Sequence, residues 1–185
     1  VMQLWERGLL DLEADIRTYL PEGFLTKLQY PDEKITMLNL MNHNAGFQES
    51  FYENELAGPD EIYSSLEEAV GACECYQAYH VGQYTAYSNW GTALAAYIVE
   101  RTSGMDYVTY VNENIFAPLG MEHTSIHPLQ ADNPWVATQR SKLKCYSRYG
   151  DPAYNEDYGE CRSWVQLFPA GAAIGTLADF STFAQ

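Results

Sequence analysis

The chain has 185 residues, of which 46% are hydrophobic and 19% charged, and its formal net charge is −15. Such a balance suits one globular domain, or one lobe of a larger one, and excludes a disordered chain. Ten basic residues against twenty-five acidic ones, with no Lys/Arg stripe, leave no footprint for nucleic acid or for an anionic membrane surface.

The opening "VMQLWERGLLDLEADIRTYLPEGF" places Val1, Leu4 and Trp5 at helical spacing before Gly8. Leu12, Ile16 and Leu20 predict a second helical stripe, stopped by Pro21 and Gly23. Val1 stands inside an amphipathic pattern rather than a basic leader, and reads as a cut point or first ordered residue. In "ITMLNLMNHNAGF", Thr36 is a candidate N-cap for a helix expected to end before Gly46. Residues 48–63 are polar and acidic and read as loop. "SSLEEAVGAC" predicts a short helix with a capping box from Ser65 to Glu68.

"YQAYHVGQYTAYSN" alternates aromatic and polar residues around Gly82, which predicts a turn and a short extended segment. A helix follows over about Trp90–Thr102, stopped by Ser103-Gly104, and another over about Tyr107–Phe116, stopped by Pro118-Leu119-Gly120. The apolar run from Ala93 to Val99 is far too short to span a bilayer. Residues 127–165 are irregular, rich in Tyr, Asp, Asn and Gly. The closing "FPAGAAIGTLADFSTFA" implies close backbone packing at its small residues, then a helix with a Thr176–Asp179 capping box. Helix dominates, strands are few and short, and fifteen tyrosines suggest amphipathic surfaces or a lined cleft.

Of the four cysteines, Cys73 and Cys75 are too close for an ordinary disulfide and lack the second half of a zinc pair. Cys145 and Cys161 bracket a polar loop; a bridge in an oxidising compartment and two ordinary thiols are both open readings. His123 and His127 have the spacing of two ligands on one helical turn. Flanking prolines argue against a helix there, so no metal and no cofactor is expected.

The chemistry-bearing pattern is Tyr87-Ser88-Asn89 at the entrance of the small-residue helix. A phenol can relay a proton when a neighbouring cation lowers its pKa, and an Asn two residues on can orient a substrate amide. The ordinary alternative is that Asn89 simply caps the helix. Three blocks, "ITMLNLMNHNAGF", "GQYTAYSNWGTALAAYIVERTSGMDYVTYVNENIFAPLGMEHT" and "FPAGAAIGTLADFSTF", occur in that order after the opening segment. Together they resemble the serine β-lactamase and penicillin-binding-protein-like hydrolases, in the class C and esterase-like branch.

The resemblance implies the helix-rich lobe of an α+β DD-peptidase/β-lactamase-like fold, with most of its sheet absent from 1–185. In that family a Ser-x-x-Lys serine forms an acyl-enzyme, and the Lys and the Tyr of Tyr-x-Asn exchange its proton. A Lys-Thr-Gly or His-x-Gly motif follows on an edge strand. The resemblance therefore assigns Tyr87 a general-base role, Asn89 a positioning role and Gly171 a place near the substrate cleft, and gives Ser88 none. His43 matches a family histidine and is read as a hydrogen-bonded helix-end residue.

Ser141 to Lys144 is the one local Ser-x-x-Lys. It follows Tyr87 in the chain and lies in the irregular region without the rigid seat a nucleophile needs, so it reads as a chance match. His80-Val81-Gly82 precedes Tyr87, where the third motif does not belong. The expectation is an internal fragment, inactive alone, of a serine hydrolase for β-lactam, D-alanyl peptide or small-ester substrates. The alternative is a β-lactamase-like binding or sensor module that has lost catalysis. Small molecules or cell-wall peptides would be the partners, outside the bacterial membrane, and the truncated chain is expected to self-associate.

Overall fold

The structure, a computed structural model, describes residues 1–49, 56–143 and 164–185. Its helices are α1 (Met2–Glu6), α2 (Met37–Met41), α3 (Leu66–Ala72), α4 (Asn89–Ser103), α5 (Tyr107–Val111), α6 (Ala117–Leu119), α7 (Pro134–Arg140) and α8 (Leu177–Phe183). The described strands, β1 (Leu56–Ala57) and β2 (Trp164–Val165), pair antiparallel with Leu56 opposite Val165. The helix-rich lobe with few short strands implied by the resemblance is what the described residues form.

The 15-residue α4 is the axis. Its run from Trp90 to Val99 is buried except at Thr92: Gly91, Ala93, Ala95 and Ala96 let neighbours approach closely, and Trp90, Leu94, Tyr97, Ile98 and Val99 fill the space between them. Helices α2, α3 and α5 and the 168–170 turn all pack on it. Gly104 closes it in the left-handed conformation (φ 70°) and donates its N–H to Glu100 O at 2.9 Å.

Thr36 caps α2 with a reciprocal box to Asn39, and α2 ends at Met41, before Gly46 as expected. Residues 45–47 turn instead to the 77–79 segment, where Phe47 bridges Gln77 and Gly46 O accepts the N–H groups of Ala78 and Tyr79. The second N-terminal helix does not form. Gly8 turns the chain at φ 70°, Asp15 bridges Thr36, and Ile16 N–H donates to Ile35 O at 2.8 Å. Ile16 and Leu20 are buried all the same, so the stripe marks core turns around a 3₁₀ segment, Ile16–Thr18.

Ser65 caps α3, while Glu68 reaches back to the Ser64 N–H and hydroxyl rather than to Ser65. The predicted 107–116 helix is α5 continued by a π turn, Asn112–Phe116. Helix α7 was not legible in the irregular region, although Asn133 caps it and Pro134 opens it.

Thr176 caps α8 by accepting the Asp179 N–H, but the Asp179 carboxylate turns away to the His123 N–H and the Thr124 hydroxyl, each at 2.8 Å. Burial alone would raise this carboxyl; its hydrogen bonds outweigh that and hold it below the ordinary Asp range. A depressed folded-state pKa contributes stability that is present above the unfolded value and lost as pH falls through the folded one. Urea midpoints are therefore expected to fall between about pH 5 and pH 2 more steeply in the wild type than in Asp179→Asn. Parallel acid limbs for the two proteins would refute this anchor.

Candidate functional site

Ser88, not Asn89, caps α4. It is extended (φ −143°), and its hydroxyl accepts the Gly91 N–H at 3.0 Å. Asn89 is thereby the first helical residue, and its N–H, one of the orphan donors of a helix start, donates to the Glu49 carboxylate at 2.6 Å. Trp90 locks the turn from below. It is fully buried, donates Nε1–H to Val70 O at 2.8 Å and meets the Phe47 ring edge-on at 4.6 Å.

On this rigid start Tyr87 and Asn89 come together. The Tyr87 hydroxyl donates to Asn89 Oδ1 at 2.9 Å, Asn89 is buried, and Tyr87 is 56% exposed. The Tyr87 ring lies 4.5 Å from the His43 imidazole at an interplanar angle of 35°. A half-exposed phenol on a buried helix start can meet a ligand without moving the core. Tyr97 is the opposite case: it is buried on the same helix, and burial pushes its phenol up to about 12.

His43 also lines a groove of about 520 Å³ that runs between Val1 and Met2, the end of α2, and the Thr92–Ala95–Ala96–Val99 face of α4. A second groove, about 580 Å³, lies between the π turn and α8; Phe116, Met121, Ile126, Phe180 and Phe183 make it strongly apolar.

The other sequence candidates have surroundings of their own. Gly171 is exposed beyond the 168–170 turn, and a Cβ there would meet nothing within 4 Å, so the close backbone packing expected of this stretch does not fall on it. That position is Gly175, where a Cβ would stand 2.6 Å from Thr124 Oγ1. Ser141 follows α7 on the surface and donates its hydroxyl to Thr138 O at 3.1 Å; Lys144, Cys145 and Cys161 lie outside the described residues. Cys73 and Cys75 are buried, with the Cys75 thiol directed at Cys73 O (3.6 Å). The His123 ring meets Trp135 edge-on at 4.3 Å, and His127 Nδ1 accepts the Leu129 N–H. Among the described residues no three His, Cys, Asp or Glu side chains are grouped to hold a metal ion.

Sequence reasoning missed Ser88 and Glu49. The Ser cap had a signal, since Ser is a preferred N-cap and stands directly before the first helical residue. Glu49 had none, because it reaches Asn89 across forty residues of chain.

All of residues 1–185 match the family model described as Beta-lactamase. The chain belongs to the beta-lactamase family. A penicillin-binding protein of Bacillus subtilis (strain 168) is 30% identical to this family member over 136 residues, covering 69% of the chain and 27% of that protein. Monacolin J acid methylbutanoyltransferase of Aspergillus terreus is 28% identical over 184 residues, covering 86% and 43%. The D-amino acid amidase from Ochrobactrum anthropi SV3, solved with D-phenylalanine, superposes with a TM-score of 0.70 at 23% identity, over 97% of this chain and 50% of that one. This β-lactamase-family chain thus spans less than half of those two curated relatives.

Proposed function

We propose that the whole protein is a serine hydrolase that opens amide or ester bonds through an acyl-enzyme, with Tyr87 and Asn89 in its cleft. The carrying observation is the exposed Tyr87 hydroxyl held 2.9 Å from Asn89 Oδ1 on a buried helix start. In this reading a Ser-x-x-Lys segment precedes Val1 and seats in the groove that passes His43 and Thr92, and the third motif follows Gln185. The serine Oγ bonds to the carbonyl carbon. Its proton passes through the Lys and Tyr87 to the leaving amine or alcohol, and water then releases the acid. Asn89 orients the substrate amide, and Gly171 is a substrate-side residue.

β-Lactams, D-alanyl peptides or small esters are the substrate classes, the first in keeping with the likeness to a penicillin-binding protein, and a cell-wall substrate would put the protein's work outside the membrane. No helix among the described residues is long and apolar enough to cross a membrane. The test is covalent labelling of the whole protein with a fluorescent penicillin and a fluorophosphonate. Labelling upstream of Val1 is expected, and labelling at Ser141 or nowhere counts against the proposal. The 185-residue chain alone is expected to stay unlabelled.

The apolar groove beside α8 bears on assembly. Leu177, Phe180 and Phe183 are 80%, 65% and 55% exposed, a contiguous apolar helix face. The 185-residue chain is therefore expected to self-associate, with its mass by light scattering rising with concentration. Phe180→Glu should shift it toward monomer; a monomer at every concentration would contradict the prediction.

A further inference from the structure

His43 meets the Tyr87 segment at three points. Its backbone O accepts the Ala86 N–H at 2.7 Å, its Nδ1 accepts the Ser88 N–H at 3.2 Å, and its ring lies against the phenol between them. A backbone amide can only donate, so Nδ1 must carry a lone pair and the neutral ring's proton sits on Nε2. The bracket also needs an unusual backbone. His43 has φ 52°, in the left-handed region, and this lets one residue present both its carbonyl and its side chain to the 86–88 segment.

We infer that His43 is a positioning residue for Tyr87, acting as a neutral Nδ1 acceptor that fixes the phenol over the cleft. The inference rests on the proposed role of Tyr87. The physical need is plain: the Tyr87 side chain is half exposed, and without lateral support its hydroxyl would sample positions about 1 Å and more away, a displacement worth ~10²-fold in rate. Among the described residues the phenol has one other tether, the bond to Asn89 Oδ1.

Two variants of the whole protein separate the acceptor from the backbone. Both Gly and Asn tolerate the left-handed conformation, but only Asn carries an acceptor oxygen at the place of Nδ1. H43G is expected to lose ~10²-fold in kcat with KM little changed, and H43N to return to within about tenfold of wild type. H43Q, whose oxygen lies farther out, should not be rescued. Nitrogen NMR of the wild type near pH 8 is expected to show His43 protonated at Nε2 alone, and the Ser88 amide to exchange faster in H43G than in H43N. Equal kcat in H43G and H43N, or a proton on Nδ1, overturns the assignment. The tautomer and the Ser88 exchange rate decide the bracket independently of turnover. A wild-type protein that acylates with no substrate sinks the catalytic reading instead.

Discussion

Tyr87→Phe in the whole protein is expected to lower kcat/KM by ~10²–10⁴-fold, the usual contribution of a positioned general acid–base group. The change is narrow. It keeps the ring, so the contact with His43 at 4.5 Å survives, and it deletes the hydroxyl with its single described bond to Asn89 Oδ1. Because Tyr87 is more than half exposed, stability should move by no more than about 1 kcal/mol. Loss of rate without loss of folding is the signature of a group that works on substrate. The rate of acylation by a chromogenic β-lactam or ester, measured beside a urea melt, reads both. A Tyr87→Phe protein with undiminished kcat/KM would remove the phenol from the mechanism.

How much of this site could be read in advance depends on the range of each interaction. That Tyr87 and Asn89 come together was legible because they stand two apart in one short motif and a helix follows at once. Thr36, Ser65 and Thr176 were legible as caps, since capping is a local bargain between a side chain and an N–H three residues on. The carboxylates of Glu68 and Asp179 were not: each found a different donor, one at Ser64 and one across 55 residues at Thr124. The 12–16–20 stripe misled for a related reason. Its burial was real, but Asp15 pairing with Thr36 and Ile16 with Ile35 took the backbone donors a helix would have used. Glu49 and the bracket at His43 are products of the fold, and no periodicity announces them.

Gly46→Ala is expected to be among the most damaging single-methyl changes in the described structure. A Cβ at this position would stand 2.1 Å from Tyr79 O and 3.0 Å from its carbonyl carbon, and Gly46 has φ 86°. Both partners are backbone, so no rotamer change relieves the clash. The 45–47 and 77–79 segments must separate, although Gly46 O holds the Ala78 and Tyr79 N–H groups and Ala45 O holds Gln77 Nε2. Strain in the left-handed region adds to the overpacking, for a loss of roughly 3 kcal/mol. Gly82→Ala is the matched control. Its φ is 79°, yet a Cβ there meets nothing within 4 Å, so only the conformational cost of about 1–2 kcal/mol applies. The difference should also reach the site. Asn44 O holds the Gly82 N–H at 2.8 Å and His43 O holds that of Ala86 at 2.7 Å, so parting the segments at Gly46 pulls on the support beneath Tyr87. Urea midpoints of the two variants measure the stability gap, and kcat measured well below the Gly46→Ala midpoint reads the transmitted effect. Equal destabilisation of the two would mean that the left-handed backbone, and not the contact with Tyr79, is what requires glycine at position 46.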